Sequence, residues 1–86
     1  MKKEAYQIAQ DAIAELKGAV YLLLKEKGGD GLKNVQIGKS LGIYMGHERH
    51  LGHISRTVLA IMESEGVVKQ DESTKKWFLV DLNSQE

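Results

Sequence analysis

The stretch from Asn34 to Val80 constrains this chain more than any other. It reads NVQIGKSLGI, then a polar joint YMGHERHLG, then HISRTVLAIMESEGVVKQ, then DESTKK and WFLV. Apolar residues three and four apart mark the first and third pieces as helices. Two short apolar-rich runs on either side of a polar hexapeptide mark a hairpin. The order is therefore a short helix, a joint, a longer amphipathic helix closed by a glycine, and a β-hairpin. The fold class that follows is mainly α with a small β-hairpin (α+β), built on a three-helix core.

Local signals sharpen these elements. Asn34 is an N-cap residue type, and it predicts a helix from Val35 to Leu41 with Val35, Ile37 and Leu41 on the buried side. Gly38 sits where two helices approach closely, Gly42 ends the helix, and Ile43 plugs the core behind it. The next helix is expected from about Leu51 to Glu65, with Ile54, Val58, Ile61 and Met62 inward, Leu59 flanking them, and Gly66 as its stop. Its outward face then carries His53, Arg56, Thr57 and Ala60. The strands are Val67–Gln70 and Trp77–Val80, and Trp77 is expected to pack the hairpin against the first helix.

Upstream, Ile8, Ala12, Ile13, Leu16, Val20, Leu23 and Leu24 recur on one face of a helical pattern over residues 4–27, which the GGDG at Gly28–Gly31 ends. Gly18 interrupts it at a cost of about 1 kcal/mol relative to Ala, and marks either a bend or a join between two helices. A helix of this length, ~36 Å, exceeds what a small core needs. Ala19–Leu24 suffices for that core, so residues 1–17 form an extension whose apolar residues Ala5, Ile8, Ala9, Ala12 and Ile13 must be covered. Folding back on the core is one solution. Pairing with a second copy in a homodimer is the favoured one, because twofold dimers are the commonest oligomers.

Composition narrows the classes of function. At 86 residues there is room for one small domain. There is no cysteine, which excludes a disulfide framework and a Cys-based zinc site and suits a reducing interior. No apolar run approaches the ~20 residues of a membrane span, and the first residues carry acids where a signal peptide needs an unbroken apolar stretch. The expectation is a cytoplasmic protein with no membrane partner. Twelve Lys+Arg balance twelve Asp+Glu, so no global positive field favours indiscriminate nucleic-acid binding. Any such footprint must be local, and residues 18–43 hold Lys25, Lys27, Lys33 and Lys39 against only Glu26 and Asp30.

From Gly18 to Val80 the chain resembles the winged helix-turn-helix superfamily of bacterial and archaeal DNA-binding domains. The likeness rests on IGKSLGI at Ile37–Ile43, ISRTVLAIMESEGVV at Ile54–Val68, and the hairpin KQDESTKKWFLV. The resemblance implies a helical extension over residues 1–17, a winged-helix domain over 18–80 and a flexible tail over 81–86. It implies that the third helix enters the major groove of double-stranded DNA while the hairpin holds the backbone. The joint Tyr44–His50 departs from the family in being longer than a tight turn. It is either an extra DNA contact or a place where another partner docks.

The candidate DNA contacts follow. Arg56 can bond a guanine edge in bidentate fashion, and Thr57 can meet a thymine methyl. Arg49, His50 and His53 lie at the start of the third helix, where backbone N–H groups favour phosphate. Lys39, Lys75 and Lys76 are placed for the backbone. His47, His50 and His53, at intervals of three, do not share one helix face, and no metal or other cofactor is expected. The serines form no spacing that implies a catalytic triad, so no enzyme is expected. The function that follows is a small transcriptional regulator. The alternatives are a protein-interaction module and an accessory DNA reader of a nuclease or modification system.

Overall fold

The computed structural model describes residues 2–45 and 52–80, the side chains of residues 2 and 3 excepted. Arg49 and His50, with most of the joint, and the expected tail over 81–86 lie outside the described residues. Helix α1 spans Lys2–Lys27 and runs unbroken through Gly18, so two helices do not join there. Gly18 is exposed and an added Cβ would touch nothing within 4 Å, so its cost is conformational only. A single 3₁₀ turn, Gly28–Asp30, follows. Gly31 then takes φ 67°, and a Cβ there would stand 2.6 Å from the Phe78 ring and 2.9 Å from the Trp77 carbonyl oxygen. Only glycine allows the hairpin to close onto this corner.

Leu32 comes next and pairs in both directions with Trp77. Its N–H donates to the Trp77 carbonyl at 3.1 Å, and the Trp77 N–H donates to the Leu32 carbonyl at 2.7 Å. Helix α2 is Asn34–Ser40 and α3 is His53–Ser64. Strands β1 (Val68–Gln70) and β2 (Trp77–Leu79) form one antiparallel sheet with Val68 opposite Leu79 and Gln70 opposite Trp77. The molecule is thus mainly helical with a two-stranded antiparallel sheet, an α+β architecture.

Two local expectations need correction. Asn34 does not cap α2 but is its first residue; the preceding Lys33 N–H is satisfied by the Gln36 side-chain oxygen at 2.8 Å. The amide of Asn34 is thereby free to reach α3. The buried arc of α3 is also rotated from the expected stripe, comprising Ser55, Val58, Leu59 and Met62. Ile54 and Ile61 are only half-buried, at its edge. The cause is Ser55, whose hydroxyl finds a partner inside, so a polar residue takes a core position that apolar periodicity assigns elsewhere.

The core gathers Val20 and Leu24 of α1, Leu32, Ile37 of α2, Val58, Leu59 and Met62 of α3, Val68 of β1 and Trp77 of β2. Each such side chain contributes about 1.5–3 kcal/mol by leaving water. Trp77 joins the hairpin to this cluster, as its apolar bulk requires. Its indole Nε1 has no hydrogen-bond partner among the described residues, a cost of about 1–3 kcal/mol that the buried ring surface offsets.

Candidate functional site

The outward side of α3 is set by what holds its inward side. The Ser55 hydroxyl donates to Asn34 Oδ1 at 2.8 Å, and Asn34 Nδ2 donates to the Gly52 carbonyl at 3.4 Å. Gly38 of α2 lies against the same spot, where a Cβ would stand 3.1 Å from Ser55 Oγ and 2.9 Å from Tyr44 Cδ1. The Tyr44 ring is thus wedged between Gly38 and Gly52, both buried, and it locks α2 to the start of α3. With Ser55, Leu59 and Met62 committed inward, the 100° step per residue turns His53, Arg56, Thr57, Ala60 and Glu63 to solvent, and all five are exposed.

The candidate residues do not form one cluster. Arg56 closes the first turn of α3, its N–H donating to the Gly52 carbonyl at 3.0 Å. His53 and Thr57 face the other flank, where they line a groove between α1 and α3 together with Ile13, Leu16, Ile54 and Ile61. The groove holds about 290 Å³ and its walls are almost wholly apolar. Lys39 stands in the last turn of α2, with its ammonium 5.6 Å from the centroid of the Tyr44 ring, within cation–π range. Lys75 and Lys76 lie in the turn of the hairpin; Lys75 is exposed and Lys76 half-buried.

That turn is built by Asp71. Its carboxylate accepts from the Ser73 N–H and the Ser73 hydroxyl, each at 2.8 Å, and from the Thr74 N–H at 3.1 Å. These bonds favour the ionised form and hold the Asp71 carboxyl below its ordinary value, the Ser73 hydroxyl being the largest contributor. The Lys75 N–H then closes the turn on the Asp71 carbonyl at 2.7 Å, and Lys75 takes φ 68°, a left-handed conformation that a side chain rarely adopts. The cationic tip is therefore a rigid loop rather than a loose one.

At the far end of α3, Glu65 pairs with Lys17 of α1 at 3.0 Å. One acid near the end of α3 is in this way matched from within the chain. Among the described residues, no group of three or more His, Cys, Asp or Glu could hold a metal ion. No helix among them is long and apolar enough to cross a membrane.

Sequence reasoning missed the groove. Its signal was present in Ile54 and Ile61, one heptad apart, but both were assigned to the core. It also missed the Asn34–Ser55 tie, because each residue has an ordinary local role, a cap and a solvated helix position. No family model matches the chain, and comparison with curated proteins and with solved structures gives no match.

Proposed function

We propose that this chain is a DNA-binding module of the winged-helix kind, acting as a small cytoplasmic regulator of transcription. In this reading α3 enters the major groove with Arg56 toward the bases, His53 and Thr57 at its edge, and Lys39, Lys75 and Lys76 on the backbone. The supporting observation is the orientation of α3. Its Ser55–Leu59–Met62 side is seated in the core, which turns Arg56 to the solvent-exposed side of the helix. The Asp71-built turn supports it further, since it holds two lysines on a fixed tip. Exact charge balance means that a local set of cations must do the work.

Binding of a random-sequence duplex across salt tests the reading. Four cations that each neutralise one phosphate give a log–log slope of about −3.6, and Arg56→Ala/Lys76→Ala should reduce it to about −1.8. No binding at about 50 mM salt, or an unchanged slope in the variant, would overturn it. The apolar groove beside α3 favours a second reading, a protein-interaction module, and that reading would take over in the first case.

A further inference from the structure

Helix α1 is longer than the core it serves. Val20 and Leu24 are buried and Leu16 and Leu23 pack beside them, yet every side chain from Glu4 to Ala12 is exposed. The first turns of α1 therefore project as an arm. Ala5, Ala9, Ala12 and Leu16 form a line along it at helical spacing, with Tyr6 (66% exposed) and Ile8 (64% exposed) on its flanks. An arm of three turns is marginal as a helix in water unless an apolar face is covered.

The dimensions of the molecule agree. A compact chain of this length has a radius of gyration of about 12 Å; the observed value is 13.9 Å. A compact monomer of 9.6 kDa exposes about 5,100 Å²; this chain exposes 6397 Å². The excess is roughly 1,300 Å² over the whole chain, the exposed arm contributing part of it, against the ~800 Å² that each partner contributes to a standard interface. At the root of the arm lies the groove of Ile13, Leu16, Ile54 and Ile61, which none of the described residues fills.

We infer that a second copy of this chain covers both surfaces at once, the arm of each protomer lying in the α1–α3 groove of the other. The arrangement is reciprocal, as a twofold axis requires. The alanine line lets two helices approach closely, and Ile8 supplies the bulk that the groove accepts. Arg56 faces away from this contact, whereas His53 and Thr57 stand on the edge shared by both surfaces. The inference does not rest on the DNA reading, and its tests contain no nucleic acid.

The absence of cysteine makes the contact directly measurable. Two single-cysteine variants, Ala9→Cys and Ile61→Cys, carrying different tags, are mixed and oxidised. A disulfide joining the two tags is expected, and sedimentation of the unmodified chain should give a dimer. Ile8→Glu/Ala9→Glu, which changes only exposed residues, should raise the dimer dissociation constant at least tenfold with helix content retained. An unmodified chain that sediments as a monomer at about 200 µM would overturn the inference. So would self-linked Ala9→Cys product without any joined-tag product, because the arms would then meet each other and not the groove. An undiminished dimer in Ile8→Glu/Ala9→Glu would overturn it as well.

Discussion

Two identical substitutions, Gly18→Ala and Gly38→Ala, should move stability in opposite directions. Both glycines are helical, and in each case Ala gains about 0.5–1 kcal/mol by restricting the unfolded chain and favouring the helix. At Gly18 nothing opposes this gain, because an added Cβ has no neighbour within 4 Å. At Gly38 the same Cβ would stand 2.9 Å from Tyr44 Cδ1, 3.0 Å from Tyr44 Cβ and 3.1 Å from Ser55 Oγ. Tyr44 Cβ is bonded to the backbone and cannot swing away, and Ser55 Oγ is held by its bond to Asn34. The Tyr44 ring cannot retreat toward Gly52 either, since a Cβ there would already be 2.9 Å from its Cε1. Overpacking of this kind costs about 1–3 kcal/mol, which outweighs the propensity gain. The expected outcome is a rise of about 2–8 °C in Tm for Gly18→Ala and a fall of up to about 20 °C for Gly38→Ala. Thermal unfolding followed by circular dichroism and by Trp77 fluorescence, at one fixed protein concentration, measures both. A neutral or stabilised Gly38→Ala would refute the claim that Tyr44 is wedged between α2 and α3.

Further outcomes follow from the same structure. Ser55→Ala and Asn34→Ala should each destabilise by about 1–2 kcal/mol in urea unfolding. The double variant should fall short of their sum by about 1 kcal/mol, because one bond is lost twice. Lys75→Gly removes a left-handed side chain, so unfolding should show a gain of up to ~1 kcal/mol, and under the proposed DNA reading the salt slope should drop by about 0.9. Asp71 has a folded pKa below its usual 3.8, so its contribution is present above that value and is lost as pH falls through the folded pKa. In an acid titration the stability difference between the unmodified chain and Asp71→Asn should therefore shrink below about pH 4.

Much of this architecture is written in local chemistry. The hairpin is legible because a β-rich run, a polar hexapeptide and an aromatic-led run occur in order, and strand ends fall within one residue of expectation. Trp77 is legible as the hairpin's link to the core for its size alone. The rotation of α3 is not, because periodicity counts apolar residues and Ser55 is polar. Its burial depends on an amide that arrives from α2, some twenty residues away. Asn34 misleads for the same reason: its side chain suits a cap, and tertiary structure uses it to join two helices. The continuity of α1 escapes a reader who treats Gly18 as punctuation, since nothing in the glycine itself reveals that its neighbours on both sides hold the helix. The candidate site divides likewise. Arg56 is outward because Ser55 and Leu59 are inward, a relation visible in the spacing once the buried arc is known. That Thr57 and His53 border an apolar groove requires α1 to be placed beside them.

The unbroken course of α1 makes it a ruler as well as a strut. The helix enters the core at Val20 and Leu24 and leaves it toward the arm with no hinge between. In the proposed pair, the distance and angle between the two α3 helices would then be set by the count of residues along one unbroken helix. One inserted residue beyond Gly18 would advance the arm by about 1.5 Å and turn its apolar line by about 100°, off the groove altogether. Seven inserted residues would return the line to within about 20° of its place and lengthen the rod by about 10.5 Å, close to a third of a DNA turn. In the proposed pair, change in this stretch would therefore be tolerated in steps of whole heptads, each step selecting a new spacing, so that chain length alone would tune what the pair can span.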